Sequence, residues 1–237
     1  MSLLSVPSKS NKGEAEKPFW ISFADLLTAL MVLFLVAMAV AILAVTKDVR
    51  DIKAAEEHRS SSVDSCMAGV QDVSQAFRGV TIRDHSIDFG PQAEFQLAKD
   101  DLRPEQEEFL RKFVPQIIAI TKRPQCKAWL KRVVVDGFAS QEGTYLSNLN
   151  LSIKRSERVL CVLLDPRAEH APTEEDRRLI QKLFFVGGSS SNSLKQVAAE
   201  SRRIELKIEF YDLKEPKETD TPDIPLSTDT TCPIDQK

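Results

Sequence analysis

Residues 19–45 carry apolar or small side chains at every position except Ser22, Asp25 and Thr28. At 1.5 Å per residue, a helix of about 27 residues is roughly 40 Å long, enough to cross a ~30 Å hydrocarbon layer with tilt. The pattern predicts one transmembrane helix over 19–45, with Trp20 placed where an interfacial aromatic belongs. Neither a basic n-region at the very start nor a small-x-small cleavage site accompanies it, so it reads as an uncleaved anchor. Residues 1–18 are polar and read as a short tail. Residues 46–79 read as a linker: a charged, helix-compatible stretch that Ser60, Ser61 and Ser62 should end, then a short amphipathic piece over 63–77.

From residue 80 the period changes repeatedly. Val80, Ile82, Ile87 and Phe89 suggest one extended segment, although their alternation is imperfect. Pro104 stands at a first helical position, with Glu105, Glu107 and Glu108 behind it, and Phe109, Phe113, Ile117 and Ile120 recur at helical spacing. Pro115 conflicts with that run and should kink or interrupt it. A β-rich segment over 129–135 ends at Asp136 and Gly137, a helix follows over 145–164, and Asp165-Pro166 stops it. A polar excursion leads to a short helix and a buried strand over 183–186. The last strand alternates Ile204, Leu206, Ile208 and Phe210 with Glu205, Lys207 and Glu209, one face dry and one wet. These elements predict an α+β domain over 80–211: a mixed sheet of about four strands with helices on one face. The polar tail over 212–237 has the composition of a disordered segment.

Composition narrows the chemistry. The 237 residues are 28% charged and 42% hydrophobic, enough to build a core, and the net charge of -3 offers no electrostatic footprint for nucleic acid. His58, His85 and His170 stand in charged, loop-like settings without partners at metal spacing, so no metal site is expected. Gly187, Gly188 and the serines after them resemble a phosphate loop only by composition, since the Lys-Ser/Thr ending is missing. No activated nucleophile or Ser/His/Asp set can be assembled, and an enzyme is not expected. Cys66, Cys126, Cys161 and Cys232 all follow the apolar segment, an even number suited to disulfides in an oxidising compartment; four unrelated thiols fit the sequence equally well. Three intrachain connectivities are open, with Cys232 placed to tie down the tail and an interchain Cys66 bond as an alternative. Lysines 9, 12 and 17 before the helix and Lys47, Arg50, Lys53 and Arg59 after it leave orientation undecided by charge.

Asp25 is the unusual residue. A carboxylate inside a spanning helix costs about 2.5–3.5 kcal/mol on the mildest insertion scale, and its default reading is a site for a proton or cation. Ser22, Asp25, Thr28, Ala29 and Val32 share one helical stripe. The run Trp20-Ile-Ser-Phe-Ala-Asp25-Leu-Leu-Thr28, followed by unbroken Leu, Met and Phe, resembles the B subunits of MotA/MotB-type ion-driven stators. The resemblance implies that Asp25 binds the translocated ion, H+ or alternatively Na+, against a ring of A subunits, with Thr28 hydrogen-bonding or desolvating its carboxylate. No other cofactor is implied.

A second motif lies in the soluble part. Asp136-Gly-Phe-Ala-Ser140 and the later Asn148, Leu151, Ser152 and Arg155, spaced i, i+3, i+4 and i+7, resemble the OmpA-like peptidoglycan-binding domain. Asn148, Leu151 and Arg155, with Arg203 opening the last strand, are the wall-binding residues this resemblance implies; a guanidinium suits the carboxylates of a stem peptide. Ser140 stands where the family's pattern has Asp, which removes a usual ligand for the stem-peptide amine and implies weaker or altered binding.

The short tail and linker, the residues around Asp25, the 148–164 segment and the 165–193 excursion together are most similar to the B subunits of the Zorya anti-phage systems. That resemblance implies a homodimer inside a pentamer of a polytopic A subunit. It also implies peptidoglycan as the anchor, the bacterial inner membrane as location with the N-terminus cytoplasmic and the C-terminal domain periplasmic, and nuclease or helicase effectors engaged only indirectly. A flagellar stator subunit and a passive envelope tether are the alternatives.

Overall fold

The computed structural model describes residues 16–216 and 231–235, with the side chains of residues 16–19, 21 and 22 left aside. Most of the tails expected over 1–18 and 212–237 lie outside the described residues. The chain divides into two units, Met1–Ala55 and Glu56–Lys237.

In the first unit the described residues belong to α1 (Glu16–Gln75). Its apolar side chains face outward, as Leu33 and Phe34 do at 67% exposure, and its most apolar window has a mean hydropathy of 2.9. Such a helix is long and apolar enough to cross a membrane.

In the second unit α1 carries on through Ser60, Ser61 and Ser62, where the sequence suggested a break. Ser62 donates its hydroxyl to the His58 carbonyl at 2.9 Å, an i−4 bond that leaves the helix ladder in place. Just beyond it Val63, Cys66 and Val70 are buried at helical spacing. Burying a Val side chain is worth about 1.5–3 kcal/mol, which outweighs the weak helix propensity of serine. The expected piece over 63–77 is therefore the end of the same helix.

The sheet has five strands in the order β1-β2-β5-β3-β4: β1 (Thr81–Arg83), β2 (Ser86–Asp88), β3 (Leu130–Gly137), β4 (Phe184–Gly188) and β5 (Ile204–Phe210). Only β3 and β4 run parallel; the other neighbours are antiparallel. The fifth strand arises where one extended segment was expected, because Asp84 adopts a φ of 53° and turns the chain into a hairpin. That turn is also why the alternation looked imperfect. β4 runs past the 183–186 expected for it to take in Gly187 and Gly188, which pair with Asp136 and Gly137.

Among the described residues three longer helices complete the unit: α2 (Pro104–Thr121), α4 (Tyr145–Leu164) and α5 (Glu174–Leu183), with short turns α3 (Pro124–Lys127) and α6 (Ala198–Ser201). At the start of α2 the Arg103 amide donates to Gln106 Oε1 at 2.9 Å, and the Gln106 amide donates to the Arg103 main-chain carbonyl at 2.9 Å. It continues through Pro115, flanked by the buried Phe113, Val114, Ile117 and Ile118. The core joins these to Val133, Val135, Leu206 and Ile208 of the sheet. The opposite sheet face carries Arg132, Asp136, Glu205, Lys207 and Glu209. Asp136 sits across from Glu205, and burial lifts its carboxyl above the usual range, with Glu205 adding to the effect and a hydrogen bond from Ser189 opposing it.

Candidate functional site

α4 starts where Thr144 accepts the Ser147 amide at 3.3 Å, and its first half lies close on the strand ends. Two glycines permit that approach. A Cβ on Gly137 would stand 2.0 Å from the Ser152 carbonyl oxygen, and one on Gly188 would stand 2.6 Å from Ile153 Cγ1. Serines on the helix complete the seam: Ser156 donates to the Gly187 carbonyl at 2.7 Å, and Ser152 Oγ accepts the Ser190 amide at 3.2 Å. Between α4, the 138–144 loop and the 96–100 loop lies an open cavity of about 480 Å³.

Asn148, Leu151 and Arg155 all line this cavity, so the residues predicted from their helical spacing do come together. Arg155, however, is fully buried. Its Nη1 donates to the Phe138 carbonyl at 2.7 Å, Nε to Lys99 at 3.0 Å and Nη2 to Gln96 at 3.1 Å, while the guanidinium lies 5.0 Å from the Phe95 ring centroid. Burial, and secondarily Arg202, lowers its pKa to about 10 against the opposing pull of Asp100, so it stays cationic at neutral pH. Arg155 therefore holds the cavity's walls together, giving one N–H from each of its three nitrogens to a main-chain carbonyl. Asn148 does similar work, donating from Nδ2 to the Ser140 carbonyl at 3.1 Å.

Arg203, expected beside them, is not among the residues lining the cavity. It is buried at the start of β5, stacked 4.1 Å from the centre of the Phe138 ring, and it donates to Glu205 at 2.7 Å and to the Ser193 carbonyl at 3.1 Å. A short strand-opening motif could not reveal that its guanidinium is absorbed by the 188–205 connection.

Three charged lining residues escaped the sequence reading: Asp100, Glu142 and Lys154. Lys154 follows Ser147, Asn150 and Leu151 on a helical row adjoining that of Arg155, so periodicity could have found it. Glu142 sits in a loop, where no periodic signal exists. Its carboxyl is held below the ordinary range, first by a hydrogen bond from the Ser140 hydroxyl and then by its own backbone amide.

On α1, the Thr28 hydroxyl donates to the main-chain carbonyl of Asp25 at 2.8 Å rather than to its carboxylate. A hydroxyl has a single proton, so Thr28 retains only lone pairs for anything bound at Asp25. The four cysteines pair as Cys66–Cys126 and Cys161–Cys232, the latter tying the turn at Pro233–Asp235 to α4. Among the described residues no group of three or more His, Cys, Asp or Glu is arranged to hold a metal ion.

No protein-family model matches the chain. It is 36% identical over 216 residues to the Zorya protein ZorB of Escherichia coli O139:H28, an alignment covering 89% of this chain and 87% of that protein. Among solved structures it is similar to a putative MotB-like protein from Desulfovibrio vulgaris, at 16% identity and a TM-score of 0.41 over 65% of this chain and 99% of that one. The periplasmic domain of Helicobacter pylori MotB matches at 15% identity and a TM-score of 0.39, over 55% of this chain and 80% of that one. An OmpA-like domain from Francisella tularensis matches at 17% identity and a TM-score of 0.36, over 56% of this chain and 82% of that one.

Proposed function

The chain belongs to the family of the Zorya protein ZorB, and on that footing we propose that it is the ion-carrying, wall-anchored B subunit of a rotary membrane motor in anti-phage defence. The observation that carries this reading is Asp25, the one ionisable residue in the apolar run 19–45. A passive tether has no use for a carboxylate within a spanning helix, which costs about 2.5–3.5 kcal/mol to insert. In this reading Asp25 cycles between charged and neutral forms as it takes and releases a proton. Two copies of the chain sit within a pentamer of a polytopic A subunit, their N-termini in the cytoplasm and residues 80–211 in the periplasm. The two disulfides support that orientation, because such bonds persist in oxidising compartments. The α4 cavity is the peptidoglycan site, and effectors that act on invading DNA are engaged only indirectly.

Asp25→Asn tests it. The side chain keeps its size and loses its titration. Assembly with the A subunit and retention on sacculi are expected to persist while protection against phage is lost. Protection that survives the substitution would remove the ion-carrier role and leave the tether.

A further inference from the structure

The two disulfides stand in opposite surroundings. Cys66 and Cys126 are 2% and 1% exposed and belong to the same hydrophobic core as Val70 and Ile120. Cys161 and Cys232 are only half-buried, and both line a cavity of about 610 Å³ between α2, α4 and the 165–168 loop. A thiolate breaks a disulfide by displacing one sulfur from the other, so it must first reach the bond. Cys161–Cys232 offers that path and Cys66–Cys126 does not.

The two sulfurs at the cavity are unequal. Cys161 lies in the last turn of α4, where the helix dipole disfavours negative charge. Cys232 lies outside that helix, with its Sγ 3.9 Å from Nη1 of Arg158, a donor suited to a thiolate. Asp235 shares Nη1 at 2.8 Å, and Asp100 and Asp101 lie 3.8 and 3.6 Å from Nη2, so the guanidinium is held in place while its charge is divided. Support from the fold differs as well. Beside the disulfide, the turn at Pro233–Asp235 meets α4 through the Arg158–Asp235 pair, whose carboxylate is 59% exposed, and exposed pairs hold weakly. Cys66 and Cys126, once reduced, would stay packed in the core at high effective concentration, which favours the oxidised form.

We infer that Cys161–Cys232 is a thiol-exchange site, opened by a small-molecule thiol that enters this cavity, whereas Cys66–Cys126 is inert. The incoming thiolate bonds to Cys161 Sγ as the electron pair of the S–S bond leaves on Cys232 Sγ beside Arg158. A second molecule of thiol attacks the mixed disulfide, releasing Cys161 and leaving the reductant as its own disulfide. Two thiols are oxidised, one protein disulfide is reduced, and the two protons end on Cys161 and Cys232. The turn at Pro233–Asp235 is thereby freed from its covalent attachment to α4 while the core bond stays closed. The exchange needs neither ion carriage nor wall binding.

The test uses the full chain in detergent near pH 8, equilibrated with graded mixtures of reduced and oxidised glutathione, quenched with acid and mapped by differential alkylation and mass spectrometry. Cys161 and Cys232 are expected to become free thiols at a [GSH]²/[GSSG] value at least about tenfold lower than Cys66 and Cys126 require. Early quenching should catch the glutathione adduct on Cys161. R158M should slow the opening about three- to tenfold, because the leaving thiolate loses its charged donor. R158K should recover most of the rate, and D235N, which leaves Nη1 to the sulfur alone, should open at least as fast as the parent. Both pairs opening together, Cys66–Cys126 opening first, or neither opening would overturn the inference. An adduct on Cys232 would overturn the step as written, and R158M opening as fast as the parent would remove Arg158 from it.

Discussion

Arg155 Nη1 donates to the carbonyl of Phe138 at 2.7 Å, joining the middle of α4 to the residue that follows β3. The bond is buried, and the same guanidinium serves two further carbonyls. Arg155→Ala would leave all three acceptors without their charged donor and open a void. The expected loss is roughly 3–5 kcal/mol, read as a lower urea midpoint, with retention on sacculi falling in step. Arg155→Lys keeps the charge but not the fork and should fall between the two. A Lys variant as stable as the parent would show that geometry at this position matters little.

Gly137→Ala places a methyl group 2.0 Å from a main-chain oxygen of α4, which no side-chain rotation can relieve. The helix must move off the sheet, at a cost of about 3 kcal/mol or more. Gly69→Ala is the useful contrast. Its nearest neighbour is the mobile end of Arg123 at 3.0 Å, and the position lies inside α1. Helix propensity there favours Ala by about 0.5–1 kcal/mol, so thermal unfolding should separate the two variants clearly.

The disulfides close sequence separations of 60 and 71 residues. Chain-entropy arguments assign about 4 kcal/mol to each loop. Peptide mapping without reduction of protein taken from cells should recover Cys66 with Cys126 and Cys161 with Cys232. Replacing either pair with serine should lower the unfolding midpoint substantially. Four free thiols would count against a periplasmic location.

Thr28 offers a way to separate the ions. Its only proton is committed to the Asp25 carbonyl, so its contribution to a bound cation would come from oxygen lone pairs. A sodium ion needs such ligands, whereas a proton carried on Asp25 does not. With protons as the coupling ion, Thr28→Val should keep phage protection within a few-fold of the parent in plaque counts, while Asp25→Asn abolishes it. Loss of protection in Thr28→Val, restored by raising sodium, would reverse the assignment.

Asp136 bears on pH dependence. Burial raises its carboxyl pKa in the folded chain, so the folded state binds that proton more tightly than the unfolded state does. Its favourable contribution is complete below the unfolded value of about 4 and is lost as pH rises through the higher folded value. Asp136→Asn removes the titration and keeps an acceptor for Ser189. The variant should gain stability relative to the parent as pH climbs from 4 towards neutrality, and urea titrations at both ends would show it. A constant difference across that range would mean that Asp136 titrates normally.

How much of this was legible follows from how local each signal is. α4 could be read to its ends, because its 3.6-residue period and the Asp165-Pro166 stop that follows it are local signals. Its row of Asn148, Leu151 and Arg155 was legible for the same reason. What Arg155 does was not, since two of its acceptors lie 56 and 59 residues away in a loop without regular structure. Arg203 misled similarly: its place at the strand start was right, but Phe138 and Ser193 claim its side chain. The serine run in α1 looked like a terminator because the buried stripe that overrides it is defined by what it packs against. The hairpin at Asp84 depended on one residue entering a left-handed conformation, which a hydrophobic pattern does not register.

The Cys66–Cys126 bond also has a mechanical meaning. It joins a late turn of α1 to the short segment just before β3, bypassing everything numbered between them. A pull that entered the second unit at Glu56 and was resisted at the α4 cavity could cross from Cys66 to Cys126 along covalent bonds and continue into β3. The hairpin of β1 and β2 and the whole of α2 would then hang beside the tensioned line rather than within it, and the part of the fold built on the shortest strands would be spared the load.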